Sequence, residues 1–317
     1  MIYLIIGIVL LLSELLYFKI ADKYNIIDKP NERSSHSEIT LRGGGIVFVL
    51  GILTAFALGY VTWPLALSML MLGVVSFVDD IQPLNALPRF IVHVLAAVLV
   101  FYDLQLIELS IWLIPVVMFL LLGWINAYNF MDGINGITVL YALVSIFTFT
   151  QFTFLEESYP LFYTMMISCV VFGIFNVRKK AKAFAGDVGS VSMAIFLAYF
   201  MIKVLLGTAN LGFVLLVAVY SIDAIMTILM RIKRKERLSQ PHRSHLYQYL
   251  ANNVKIPHVN VSLGYAIIQL GINSLVIYLY NESLLTYPVI GSLIVLLTSV
   301  YCIIRFYVYK KYVIQHA

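Results

Sequence analysis

Five short strings gather carboxylates, amides, glycines and basic side chains in a chain otherwise poor in all of them. Ser76-Phe-Val-Asp79-Asp80 closes one apolar run, and Arg89 stands at the start of the next. Adjacent carboxylates repel one another, so a boundary that keeps both usually supplies a metal or a basic side chain; two solvated caps in a loop are the plain alternative. Asn126-Ala-Tyr-Asn129-Phe-Met-Asp132-Gly-Ile-Asn135-Gly136 sets three amides and a carboxylate between two apolar runs. Such a density of hard oxygen donors suits Mg²⁺ shared with substrate phosphates, or else a polar turn built on Asn and Gly chemistry. Phe184-Ala-Gly-Asp187-Val-Gly-Ser190 again puts a carboxylate beside glycines at a helix start, where an Asp also serves simply as a cap.

The remaining two strings are basic. Gln240-Pro-His242-Arg243-Ser-His245-Leu-Tyr-Gln248 follows the basic stretch from Arg231 to Arg237. Two histidines and an arginine suit phosphate, whereas His-x-x-His without a Glu and a third ligand is a poor zinc site, and the basic stretch could equally hold anionic headgroups. Asp28-Lys-Pro-Asn-Glu-Arg33-Ser-Ser-His36, followed by Arg42-Gly-Gly-Gly45, offers free backbone N–H groups and positive charge to an anion. Packing plus a topology signal explains that string as well. Asp223, deep in an apolar run, calls for a partner or a role in the site.

The elements that carry these strings are membrane spans. The 317 residues are 62% hydrophobic and only 12% charged, and the mean hydropathy is +0.94, too apolar for a soluble domain. Apolar runs fall at 2–20, 44–61, 63–80, 88–103, 110–127, 136–153, 160–177, 188–206, 211–231, 259–280 and 287–307. They predict an all-α polytopic membrane protein of about eleven helices, each able to cross ~30 Å of hydrocarbon. The first run lacks a basic n-region and carries Glu14, with Lys19 and Lys23 where a cleavage site would stand, so it reads as a retained span.

Charge sets the expected orientation. Arg42, Arg89, Arg178 to Lys182 and Lys233 to Lys255 all fall in odd connections, while the even ones carry Asp103, Glu108, Glu156, Glu157 and Glu282 and no Lys or Arg. The positive-inside rule then places the amino terminus outside and the carboxyl terminus in the cytoplasm. Lys203, towards the outer end of its span, is expected to snorkel. Cys169 and Cys302 lie inside apolar runs and suggest neither disulfide nor metal.

Taken together, Asp79-Asp80, Asn126 to Gly136, Phe184 to Ser190 and His242 to His245 resemble the polyprenyl-phosphate N-acetylhexosamine-1-phosphate transferases of the MraY and WecA type. The length and the His-Arg-Ser-His-Leu-Tyr-Gln string are most similar to the short WbpL-like enzymes that start O-antigen or related glycans in bacteria. The resemblance implies a single transmembrane transferase domain over 1–317, its active site built from cytoplasmic loops at about 21–43, 79–89, 126–136, 178–190 and 232–258 of a bacterial inner membrane protein. It implies Asp79 and Asp80 near the lipid phosphate, Arg89 at the pyrophosphate, and Asp187 and Asn129 on Mg²⁺, with Mn²⁺ as its stand-in. Asp132 and Asn135 would line the nucleoside pocket, Phe184 would stack on uracil, and His242, Arg243 and His245 would cover sugar and phosphates, while Asp223 matches an acidic residue of the ninth span.

The implied partners are a UDP-N-acetylhexosamine, undecaprenyl phosphate, membrane lipids and a second copy in a homodimer, with no nucleic acid. Leu41 departs from the proline that many relatives place before the Arg-Gly-Gly stretch. The lack of three successive histidines in the basic loop argues against a muramyl-pentapeptide substrate. The rival reading is a transporter of an anionic solute, which would place ionisable groups near the midplane rather than crowd them at one surface.

Overall fold

The computed structural model describes residues 1–28, 39–108, 110–237 and 242–314. Arg33, His36, Gln240 and Pro241 lie outside them. The protein is an all-α polytopic membrane protein. Its helices are α1 (Ile2–Lys23), α2 (Ile46–Ala57), α3 (Trp63–Ile81), α4 (Ala86–Asp103), α5 (Leu113–Met131) and α6 (Ile137–Phe149). They continue with α7 (Tyr159–Asn176), α8 (Gly186–Thr208), α9 (Ala218–Lys233), the single turn α10 (Leu246–Gln248), α11 (His258–Asn281) and α12 (Tyr287–Val308). Among the described residues nine helical segments are long and apolar enough to span a membrane, and α2 and α6 are shorter apolar helices. These match the eleven expected runs one for one.

The two short helices have a local cause. Each stops four residues before its apolar run ends, α2 at Ala57 ahead of Gly59 at a left-handed φ of 74° and α6 at Phe149, while Gly43 and Gly136, at φ of 78° and 86°, turn the chain just before the two helices. The polar strings fall at helix ends rather than wholly in loops: Asp79 and Asp80 lie in the last turn of α3, Asn126 and Asn129 in the last turns of α5, and Asp187 in the first turn of α8.

α8 is the axis of the bundle: 83% of its most apolar window is buried, against 11% for α12 at the periphery. It packs against α2, α3, α5 and α6. Gly45 and Gly189 meet backbone to backbone, since a Cβ on Gly45 would lie 2.8 Å from the Ala185 carbonyl oxygen and against the Gly189 Cα. Outward faces carry large apolar side chains such as Phe119, Ile267, Val295 and Ile303, as lipid requires.

At the end of the bundle away from the paired aspartates, Asp103 at the close of α4 accepts hydrogen bonds from Thr62 at 2.6 Å and Tyr199 at 2.7 Å. Lys203 lies over the Tyr199 ring. Among the described residues the sheet is one minimal pair, β1 (Ile27–Asp28) antiparallel to β2 (Thr40–Leu41).

Candidate active site

The segment from Leu41 to Gly45 and the residues Phe184 and Ala185 just before α8 form one unit. The Phe184 N–H donates to the Leu41 carbonyl at 2.8 Å, Gly44 N–H to the Phe184 carbonyl at 2.9 Å and Gly45 N–H to the Ala185 carbonyl at 3.0 Å. This strand-like pairing brings Arg42 to the start of α8, and Tyr17 fixes it from α1 by donating to the Arg42 carbonyl at 2.6 Å.

Two arginines then bridge three aspartates. Arg42 Nε lies 2.8 Å from Asp80, and its Nη2 is 3.8 Å from Asp187. Arg89 Nη1 lies 2.7 Å from Asp79, and its Nη2 is 3.6 Å from Asp187. Burial alone would lower the Arg42 pKa, but the carboxylates of Asp80 and Asp187 raise it further.

The three carboxylates are not equivalent. The Asp80 side chain is fully enclosed and accepts the backbone N–H groups of Asp187 and Val188, at 3.2 and 3.3 Å, from the positive end of α8. Gly186, at φ 69°, permits this approach, because a Cβ there would meet Asp80. Asp79 is engaged at both oxygens, by Arg89 and by the Leu84 N–H at 2.7 Å. Asp187, 21% exposed and held only loosely by both arginines, is the carboxylate with oxygen capacity to spare.

Asn129 reaches Asp187 from α5, and its Oδ1 also accepts from Ser190 at 2.5 Å. Asn129 donates its amide to Asp187, and its oxygen keeps a second lone pair beside the Ser190 hydroxyl, so together with Asp187 it would suit Mg²⁺, which takes few protein ligands and completes its shell with water and phosphate. No group of three or more His, Cys, Asp or Glu suited to a metal occurs among the described residues, so an ion here would depend on substrate oxygens.

Asp132 caps the end of α5 and accepts the Thr138 hydroxyl at 2.5 Å. Burial pushes its carboxyl up to about 6, the Thr138 hydrogen bond opposing the rise and the Asp187 charge adding to it. Asn135 donates to the Arg178 carbonyl at 2.9 Å and to that of Lys179 at 3.4 Å, which anchors the basic segment after α7. Asn126 remains on the exposed side of α5, donating to its own Leu122 carbonyl.

A cavity of about 1220 Å³ opens beside this cluster, and Asn135, Phe184 and Arg243 all line it. Arg178, Lys179, Lys180 and Lys255 share its wall, with Tyr249, Asn252, Asn253 and Asn260 and no Asp or Glu among the described residues. Such a wall suits a polyanion carrying an aromatic base. His242 and His245 line no part of it: His245 is buried against Asp223 at 3.2 Å, and the His242 ring stands over it with centroids 5.0 Å apart. Burial first, then the charges of His245, Arg231 and Arg305, pull the His242 ring down to about 4.

The structure thus brings Asp79, Asp80, Arg89, Asn129 and Asp187 into one cluster, with Asp132 on its flank and Phe184, Asn135 and Arg243 on the adjoining cavity. It adds Arg42, which sequence reasoning valued only as charge beside glycines, and the asparagine and lysine wall at 249–260, for which no motif existed.

Residues 62–205, which include the three aspartates, Asn129 and Phe184, match glycosyl transferase family 4. A probable undecaprenyl-phosphate N-acetylglucosaminyl 1-phosphate transferase of Bacillus subtilis (strain 168) is 22% identical over 256 residues, 73% of this chain and 71% of that protein. A phospho-N-acetylmuramoyl-pentapeptide-transferase of Streptococcus suis (strain 05ZYH33) is 29% identical over 151 residues, 40% of this chain and 45% of that protein, so the match takes in under half of its length. One of Lactococcus lactis subsp. cremoris (strain MG1363) is 26% identical over 224 residues, 59% of this chain and 65% of that protein. Over 62–205 the chain is thus similar to glycosyl transferase family 4, and over longer stretches to polyprenyl-phosphate sugar-1-phosphate transferases of both kinds.

Proposed function

We propose that this protein transfers an N-acetylhexosamine-1-phosphate from a UDP-sugar to undecaprenyl phosphate, releasing UMP and starting a lipid-linked glycan such as an O-antigen. The observation that carries the reading is Asp187, partly exposed between Arg42 and Arg89 at the head of α8, three residues after an aromatic on a basic cavity. Mg²⁺ bound by Asn129 and Asp187 would supply charge neutralisation at the diphosphate.

The chemical difficulty is the approach of two anions. An oxygen of the lipid phosphate attacks the β-phosphorus, the bond from that phosphorus to the bridging oxygen breaks, and UMP leaves with the electron pair. A phosphate monoester is already largely ionised near neutral pH, so the step depends on positioning and charge stabilisation more than on a general base. Arg42 and Arg89 are spaced to steady the reacting phosphates while Asp79 and Asp80 hold them in place. The cavity bases accept the diphosphate, Phe184 offers a ring face to uracil, and Asn135 braces the basic segment. The direct route is favoured over an Asp79 or Asp80 nucleophile, because neither has an uncommitted oxygen.

Placement of this site at the cytoplasmic face of the plasma membrane follows from the positive-inside rule. Purified protein given undecaprenyl phosphate, Mg²⁺ and a panel of UDP-N-acetylhexosamines should release UMP and form a lipid diphosphosugar identified by mass. EDTA should stop the reaction. No UMP from any of them would sink the reading and favour the transporter.

A further inference from the structure

The carboxyl-terminal end of α12 has two unlike faces. On one, Tyr301, Val308 and the final turn Tyr309–Val313 pack with Leu246 and Tyr249. The Tyr309 and Tyr249 rings lie 5.9 Å apart, and the Arg234 guanidinium, just after α9, stands 4.9 Å from the Tyr309 ring centre. Val313 and Tyr249 both line the basic cavity, so the last turn is part of its support.

The other face carries an open groove of about 690 Å³ that runs along Cys302, Ile303, Phe306 and Tyr307 and ends at Lys310 and Lys311. None of these residues lines the cavity, and no acidic side chain lines the groove among the described residues. Ile303, Phe306 and Tyr307 are exposed on a span only 11% buried, which calls for an apolar cover. Lys311 donates to the Tyr307 hydroxyl at 3.0 Å and stands 5.4 and 5.2 Å from the centres of the Tyr307 and Tyr312 rings. An ammonium has three N–H donors, so two remain for a ligand. Aliphatic surface, aromatic rings and cations thus follow one another along the helix in the order of acyl chain, interface and phosphate in a leaflet.

We propose that this groove binds a phospholipid with an anionic headgroup, its phosphate on Lys310 and Lys311 and an acyl chain along Ile303 and Phe306, and that its occupancy tunes nucleotide affinity. Charge selects the occupant, since two adjacent cations with no acid beside them match an anionic headgroup and not a zwitterionic one. The tuning follows from the shared turn. A short turn at the end of a chain frays unless it is tied down, and here Tyr249 holds one face while the lipid holds the other. Pinning Lys310 and Lys311 therefore fixes Tyr309 and Val313 against the cavity. The tuning rests on the reading above that the cavity takes a UDP-sugar, whereas the lipid site does not.

The test compares the full-length wild type with the Lys310→Gln/Lys311→Gln variant in nanodiscs of phosphatidylcholine alone and of phosphatidylcholine with phosphatidylglycerol in equal parts. Native mass spectrometry counts the lipid that stays bound on release from the disc, and UDP affinity is titrated in each disc. One basic side chain near an anionic surface is worth about fivefold in association, so the variant should retain phosphatidylglycerol about 25-fold less well and phosphatidylcholine equally. Phe306→Ser, which leaves both charges, should also lower retention, and glycerol phosphate should displace nothing, which separates a lipid from a free phosphate. Wild type should bind UDP at least about fivefold more tightly in the mixed discs, the lower end of ordinary coupling between sites, and the variant should show no such difference. Equal retention of phosphatidylglycerol by variant and wild type would overturn the site. Loss of undecaprenyl phosphate in its place would make the groove a store for the acceptor lipid, and a change of oligomeric state by light scattering would mean that a second copy covers it; either overturns the proposal. Equal UDP affinity in the two discs, with phosphatidylglycerol retained, would overturn the tuning. A wild type that retains phosphatidylglycerol but binds UDP in neither disc would refute the nucleotide reading and leave the lipid site standing.

Discussion

Asp187 and Asp80 are neighbours with opposite duties. Asp187→Asn should lower turnover by at least about a hundredfold and weaken Mg²⁺-dependent UDP binding while the protein stays folded in detergent, because the loosely held carboxylate is the one free to share a cation with substrate. Turnover and calorimetric UDP titration check this, and normal activity would exclude Asp187 as an essential ligand. Asp80, enclosed by Arg42 and the head of α8, should act on the chemical step: Asp80→Asn is expected to slow single turnover and leave UDP affinity nearly intact. Phe184→Ala should do the reverse, weakening UDP by roughly 1–3 kcal/mol, the scale of base stacking on an aromatic. The opposite pattern in the two variants would exchange the subsites. Protonation adds a second test. With its folded pKa raised to about 6, Asp132 contributes stability that is complete below the ordinary carboxylate range and lost as pH rises through 6. His242, depressed to about 4, contributes stability present above its ordinary range and lost as pH falls through 4. Asp132→Asn should therefore raise the thermal midpoint at pH 8 and leave it little changed below pH 4. An equal shift at both pH values would mean that ionisation is not the cause.

At the level of elements, small residues and buried amides do the positioning. Gly45 and Gly189 let α2 touch the head of α8, so Gly45→Val should push the two apart, displace Arg42 and reduce activity at least tenfold, an estimate from the sensitivity of catalysis to ångström-scale misplacement. Activity near wild type in a folded Gly45→Val protein would show that this contact does not set the site. Gln269 on α11 mends the break before α9: its amide donates to the Leu215 carbonyl at 3.0 Å and to Asn273 at 2.6 Å, and its oxygen accepts from the Val219 N–H and Tyr141. In an apolar surrounding each group left unpaired costs about 1–3 kcal/mol, so Gln269→Leu should lower the thermal midpoint markedly and loosen α9, which carries Asp223. An unchanged midpoint would mean that another group satisfies the break.

For the whole molecule, the segregation of Lys and Arg to one set of connections predicts the side on which the chemistry occurs. Glu156 and Lys235 are both exposed, on connections of opposite parity. In a background without Cys169 and Cys302, cysteines at these two positions should react with an impermeant reagent from opposite sides of the membrane, Lys235 from the cytoplasm. Labelling from one side would remove the shared-face argument. α12 and α5 are among the least buried spans, at 11% and 17%, which leaves most of their surface to lipid or to a second copy of the chain.

The positions of the spans were legible in the chain because hydrocarbon thickness and the need to satisfy every backbone group leave few choices for runs of this length. The motif strings were legible as well, since carboxylates and amides at the ends of apolar runs cost too much to persist without a reason. What the chain could not display was which charges meet. Asp79-Asp80 and Asp187 stand in separate strings with separate expected roles, and it is the turn at Gly186 and the pairing of residues 41–45 with 184–185, far apart in sequence, that bring them together and leave Asp80 enclosed while Asp187 stays partly exposed. Likewise Asp223 and His245, with Tyr265, Tyr301 and Arg305, come from three helices and a folded segment, and only their packing shows one buried aspartate tying them together. Solvent preference is written locally along a chain, whereas the partner of a buried charge is set by contacts between segments that the linear pattern does not encode.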